Sequence, residues 1–244
     1  MNSKQSYALV AFSIFLFAVA PSFLLASTAA SAYNFAGYAG VVPAGKEATS
    51  VTGQWIVPSV ACNSKLSNEQ LVSIFVGLQS SNQNVFADIG TFALCGVGAS
   101  TPGYFAFAIY GPLDSGPVLL GLAVAPGNII SATITLNPAT FSVNGKITNL
   151  STHKSITYTK VDHGINPIYA YWDISNGGYS LAKFAKPISF QDCTAIVSGA
   201  SYKITSFLTI IKHTMTDSKG KALAIDSKIA SSGEAFSITW KASS

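Results

Sequence analysis

Ten of the 244 residues are carboxylates, and two of these stand inside apolar, aromatic, strand-like runs. Asp88 lies in "NVFADIGTFAL" and Asp173 in "NPIYAYWDISNGG". An acid in such surroundings needs a partner or a role in chemistry. Two close carboxyls have one specific use. They do not easily both ionise, so one keeps its proton, and the pair offers a base and an acid to one water. Such a pair titrates as a unit and works in acid. The plainer alternative for each is a structural carboxylate that satisfies a buried backbone or hydroxyl group. The other acids give less. Glu47, Glu69, Asp114, Asp162 and Asp217 lie in polar or turn-like segments and read as solvated. Asp192, Asp226 and Glu234 fall near strand ends.

Other catalytic signatures are missing. The chain has no H-E-x-x-H, no G-x-S-x-G, no P-loop and no dinucleotide fingerprint. Its three histidines, His153, His163 and His213, are far apart and read as surface or loop residues. No ligand pair has metal-binding spacing. No metal and no cofactor are expected.

The elements that must position the two acids are strands. Alternation puts Tyr169, Tyr171, Asp173 and Ser175 on one face, and Ile168, Ala170, Trp172 and Ile174 on the other. Asp88 shares its face with Phe86, Gly90 and Phe92. In "TSVTGQWIVP", Val51, Gly53, Trp55 and Val57 form one face. Short apolar or alternating runs continue to the C-terminus, separated by turn signals. Asn144-Gly145 is a hairpin signal, and only "KLSNEQLV" hints at a helical turn. This pattern predicts an all-β sandwich or barrel, with residues 33–244 as a single domain.

Residues 1–32 read as a secretory signal peptide: a lysine, an apolar run and the Ala30-Ser31-Ala32 cleavage signal. Uncleaved, the apolar run would be a membrane anchor. The protein is therefore expected outside the cell. Charged residues make up only 10% of the chain, and the net charge of +4 comes without an arginine cluster. No nucleic-acid partner is expected. Export permits a disulfide. Cys62, Cys95 and Cys193 allow three different single bridges and leave one thiol. Asn149-Leu150-Ser151 is a glycosylation sequon.

The ordered series of strands resembles the glutamic peptidases, or eqolisins, over most of the mature chain. "NFAG", "TSVTGQWIVP", "SIFVGLQSS", "FADIG", "YFAFAIYGP", "PGNIISATI", "TNLSTHK", "AYWDISN" and "FQDC" follow the family's motifs in order. The resemblance implies a concanavalin A-like β-sandwich of two curved antiparallel sheets. It implies a secreted, acid-active endopeptidase acting on polypeptide; a monomer is expected. Asp88 stands at the family's catalytic glutamine and Ser175 at its catalytic glutamate. Both positions depart from the family, and Asp173 lies two residues before Ser175 on the same face. Gln79 replaces an aspartate, and Ile109 an acid of the aromatic strand. Tyr169, Tyr171, Phe105 and Phe107 would line a cleft for an unfolded peptide. Two alternatives remain: a non-catalytic sandwich that binds polypeptide or glycan on its concave aromatic face, and a cell-surface structural protein.

Overall fold

The computed structural model describes residues 34–161 and 164–243; the expected signal peptide lies outside them. The strands in chain order are β1 (Phe35–Val41), β2 (Ala48–Ile56), β3 (Val60–Ala61), β4 (Gln70–Ser80), β5 (Phe86–Cys95), β6 (Gly103–Gly111) and β7 (Val118–Leu120). Then come β8 (Ile129–Asn137), β9 (Ser142–Asn149), β10 (Lys154–Val161), β11 (Pro167–Ser175), β12 (Ser180–Leu181) and β13 (Lys183–Phe184). The last are β14 (Ile188–Val197), β15 (Ala200–Lys203), β16 (Ile210–His213), β17 (Met215–Thr216), β18 (Ala222–Asp226) and β19 (Phe236–Trp240).

They build two large sheets. Sheet I runs β16-β1-β11-β4-β5-β6-β7, with the short β12 beside β4. Sheet II runs β10-β9-β8-β2-β14-β19-β18-β17, with β15 beside β14. Apart from the parallel β12–β4 pair, the pairings within both are antiparallel. Among the described residues the one helical segment is a 3-10 turn at Ile204–Ser206.

The two sheets bury their strands differently. In sheet II, β8 and β9 alternate buried and more exposed residues, as expected when one face meets water. In sheet I, Leu71 to Leu78 of β4 are buried without a break. Both faces of β4 are covered. Val72, Ile74, Val76 and Leu78 pack into the core between the sheets, with Trp55 and Trp172. Phe75 joins a second cluster on the outer face of sheet I, with Phe92, Phe107, Ile109 and Tyr171. Two indoles tie the sheets: Trp172 Nε1 donates to the Thr52 carbonyl at 2.7 Å, and Trp55 Nε1 to Thr91 Oγ1 at 3.0 Å.

Three local expectations are corrected. The "KLSNEQLV" segment makes turns and then enters β4, because Gln70 binds both the N–H and the carbonyl of Asn63 and starts the strand. Asn144-Gly145 is not a hairpin; it lies within β9, paired on both sides. Glycine is needed there because a Cβ would strike the Tyr110 hydroxyl. The sequon asparagine, Asn149, is fully buried, and its amide donates to the Ala123 carbonyl and Asn128 Oδ1. A glycan has no access to it in the folded protein. Of the three possible bridges, Cys62–Cys95 forms, and Cys193 is a buried thiol.

Candidate active site

Strand alternation places the predicted site residues as expected, on the outer face of sheet I. Their partners follow from register. Asp88 on β5 pairs with Gly77 on β4, and Gly77 pairs with Tyr171 on β11. Acid and phenol are therefore two strands apart, and they meet over the glycine. The Tyr171 hydroxyl donates to Asp88 Oδ1. A Cβ at Gly77 would clash with both. Ile109 faces Asp88 from the other neighbouring strand.

Asp88 is half-buried. Desolvation of its charged form raises its pKa to about 8; the Tyr171 hydrogen bond opposes the rise and the charge of Asp173 adds to it. Below that pH the site holds a neutral carboxyl beside a phenol. Tyr171 is itself pushed well above its usual value, by burial and then by Asp88. Rings surround the pair. Phe75 meets Tyr171 edge-on at 6.1 Å and Phe107 at 6.3 Å, and Phe92 packs on Phe105 at 5.1 Å. Tyr169 is partly buried against this cluster. Gln79 sits one row out, with its amide donating to the Gln83 carbonyl at 3.2 Å in the β4–β5 turn.

Asp173 repeats the same construction at the other side of the sheet. It pairs with Gly37 on β1, which pairs with His213 on β16. Asp173 Oδ2 and His213 Nδ1 meet at 2.9 Å over this second glycine. Gly37 has φ of +146°, and a Cβ there would clash with Asp173 Oδ1. Burial pulls the His213 imidazole down, but the charge and hydrogen bond of Asp173, with Asp226 adding, hold it above its usual value. The reading of His213 as a surface or loop residue is thus corrected. Its signal in the sequence was weak: β16 is four residues long, at the crossover from sheet I to sheet II.

Asp88 and Asp173 share a face but not a partner. Asp173 is in the row of Phe75 and Gly90, two residues along β5 from Asp88. Strand dimensions put their Cα atoms about 12 Å apart, too far for one water to touch both carboxyls. Ser175 is a further row away, opposite Ser73 and Phe92. Its hydroxyl accepts from the Gly177 N–H at 3.0 Å, as a turn former. The expected sharing of one water by Asp88 and Asp173 therefore does not occur.

The sequence reading missed Asp226, which is 4% exposed. Neither of its carboxyl oxygens has a hydrogen-bond partner. Desolvation, then the charge of Asp173, raises it to about 7 against the opposing effects of Lys212, its own backbone N–H and His213. Asp114, expected to be solvated, is also buried: its side chain is 5% exposed and paired with Lys160. Among the described residues no cluster of three or more His, Cys, Asp or Glu could hold a metal ion.

Comparison with known proteins matches this architecture. No curated protein matches the chain. The chain is similar in fold to scytalido-glutamic peptidase bound to a peptide-based transition state analog, at TM-score 0.69 and 16% identity, over 86% of this chain and 98% of that one. It is similar to SCP-B, a member of the eqolisin family solved with the tripeptide Ala-Ile-His, at TM-score 0.65 and 16% identity, over 86% and 98%. Aspergilloglutamic peptidase from Aspergillus niger follows at TM-score 0.57 and 20% identity, over 70% and 99%. The model of the peptidase A4 family matches residues 33–240. The chain belongs to the peptidase A4 family, the glutamic peptidases or eqolisins.

Proposed function

We propose that this protein is a secreted, acid-active endopeptidase in which the neutral Asp88 carboxyl replaces an amide as hydrogen-bond donor. The observation that carries this reading is the Asp88–Tyr171 pair over Gly77, at the centre of the aromatic face. Tyr171 holds Oδ1. Oδ2 then carries the proton and donates to the carbonyl of an extended peptide, stabilising the oxyanion that develops during attack. The base is Asp173, held by its hydrogen bond to His213. It acts through one intervening water, which its distance from Asp88 requires. Donation ends when Asp88 ionises, so activity falls as pH rises through about 8. Export is supported by the Cys62–Cys95 disulfide, since such bridges persist in oxidising compartments.

One observation favours a second reading, a sandwich that binds polypeptide without cutting it: Asp173 is only 2% exposed. A denatured protein substrate incubated from pH 2 to 9 decides between them. The peptidase reading expects cleavage by the wild type in acid. Asp88→Ala abolishes it. Asp88→Asn retains the donor, so it keeps activity and loses the upper pH limit. Asp173→Asn removes the base and the activity. A wild type that retains the denatured substrate but cleaves nothing at any pH establishes the second reading instead.

A further inference from the structure

A cavity of about 370 Å³ opens just beyond the last residue of β11. Its size falls within the ~300–1,000 Å³ of small-molecule sites. Asn176 and Tyr179 line it from the turn after β11, and Thr216, Asp217 and Ser218 from the end of β17 and the turn that follows. Neither Asp88 nor Asp173 lines it. Tyr179 marks the border, since it also packs on the aromatic cluster of sheet I.

Asn176 is the residue that calls for a ligand. It is 3% exposed. Its Oδ1 accepts from the Gly178 N–H at 3.1 Å. Among the described residues no acceptor takes the two N–H groups of its side-chain amide. Buried amide donors are nearly always paired, and this residue lines a cavity. Asp217 supplies the complement. Its Oδ1 accepts from the N–H groups of Lys219 and Lys221 at 2.8 and 2.9 Å, which leaves Oδ2 to accept from a ligand. Thr216 and Ser218 add hydroxyls, which both donate and accept. Tyr179 and Leu223 add an apolar patch. The carboxylate of Asp217 and the ammonium of Lys219 come from one turn and offset each other, so the lining favours an uncharged ligand. A peptide offers one donor and one acceptor per residue, spread along a chain. Several hydroxyls around one small ring, with C–H groups on its face, fit this wall better. That is the chemistry of a pyranose.

We propose that this cavity binds a neutral pyranose, either a free saccharide or one unit of a protein-borne glycan, at a site separate from the face assigned to peptide hydrolysis. Asn176 donates to a sugar oxygen, Asp217 Oδ2 accepts from a sugar hydroxyl, and the Tyr179 ring packs on the C–H face. The bound sugar lies beside one end of the aromatic face. The site does not depend on the proposed reaction, because binding is read without proteolysis.

NMR titration of the full mature protein tests it. The probes are the methyl glycosides of glucose, mannose, galactose and N-acetylglucosamine, each to about 20 mM, well above the ~1 mM affinity expected of a small site. At least one should shift the Asn176 side-chain amide signals saturably. Ser218→Trp, which places an indole in the cavity from an exposed turn, should weaken that binding at least tenfold. Should it not fold, Thr216→Val keeps the shape of the wall and removes one hydroxyl, and should weaken binding about fivefold. No shift with any glycoside overturns the proposal. So does binding that neither variant weakens, which puts the sugar elsewhere. A shift produced by trialanine and by no glycoside assigns the cavity to peptide and overturns it as well. Once a glycoside binds, stronger retention of a glycoprotein than of its deglycosylated form marks a protein-borne glycan as the source, and equal retention marks free saccharide.

Discussion

The two ends of the sandwich each bury a carboxyl where the sheets meet, and they do it in opposite ways. At one end is Asp114, in the connection from β6 to β7. Its Oδ1 accepts from Lys160 Nζ at 3.0 Å and from the Tyr158 hydroxyl at 3.0 Å. Its Oδ2 accepts from the Tyr110 N–H at 2.9 Å. Lys160 and Tyr158 belong to β10, the edge of sheet II. At the other end is Asp226, whose carboxyl oxygens meet no neighbouring donor in good geometry and feel only its own backbone N–H. Surrounded by donors, a carboxylate is satisfied as an anion. Without them, the carboxyl is stable only while it keeps its proton. The outer face supplies the intermediate case, since Asp88 has one donor, Tyr171. One fold thus holds acids with three neighbouring donors, with one and with none in good geometry.

The sharpest way to break this contrast is Asp226→Asn. The folded-state pKa of Asp226 lies above its unfolded value, from 3.8 to about 7. Its proton therefore contributes stability that is complete below pH ~4 and is lost as pH rises toward 7. The difference of roughly three units corresponds to about 4 kcal/mol at pH 8. The asparagine variant is expected to match the wild type at pH 4 and to exceed it by about that amount at pH 8, measured by urea unfolding at the two pH values. Asp88, raised to about 8, and His213, also raised, act with the same sign. The wild type should melt highest near pH 4 and progressively lower toward pH 8, the reverse of ordinary acid denaturation.

Asp114→Asn attacks the satisfied end. The amide presents donors to Lys160 and Tyr158 where an acceptor stood. With the remaining oxygen still accepting from the Tyr110 N–H, the loss of the acceptor for Lys160 and Tyr158 should cost about 2 kcal/mol. Unlike the Asp226 effect, this cost should be present across pH 5 to 8. Urea unfolding of the two variants side by side checks the difference in slope: if both show the same pH dependence, the contrast between the ends fails.

These ends mark where the sequence stopped being legible. Alternation correctly assigned Tyr171 and Asp173 to one face of β11 and Trp172 to the other. It also gave the inward face of β2. Alternation describes one strand at a time. The partners of Asp88 and Asp173 lie two strands away, across Gly77 and Gly37, and depend on the register of three strands at once. Asp114 looked solvated because its neighbours in sequence are turn residues; its partners Tyr158 and Lys160 are more than forty positions on. Asp226 looked like a strand-end acid because nothing local reveals that β1 packs over it. Family resemblance carried the fold, but it located Ser175 by position alone, and register puts that residue two rows from Asp88.

Tyr171→Phe sharpens the intermediate case. It turns the one-donor acid into a second acid with none. The Tyr171 hydrogen bond holds Asp88 down, so its removal should move Asp88 further above 8. The stability cost should be about 1 kcal/mol, because the ring remains packed on Phe75 and a single hydrogen bond is lost. Carboxyl NMR through the titration reads the shift directly. A downward shift would mean that Asp88 is not held neutral by burial.

Salt distinguishes the ends with the smallest effect. The Lys160 side chain is 36% exposed, whereas that of His213 is 16% exposed and that of Asp173 only 3%. Mobile ions screen the first pair and barely reach the second. Raising sodium chloride to about 1 M, where the screening length is roughly 3 Å, should therefore lower amide protection in β10 slightly and leave β16 at pH 5 unchanged. The hydroxyl of Tyr158 and the N–H of Tyr110 still hold Asp114 under those conditions, so the end should loosen without opening. An equal response at both strands would show that the Asp173–His213 pair is open to solvent. In that case its response to pH would be a surface effect, and the difference between the two ends would come down to the number of donors alone.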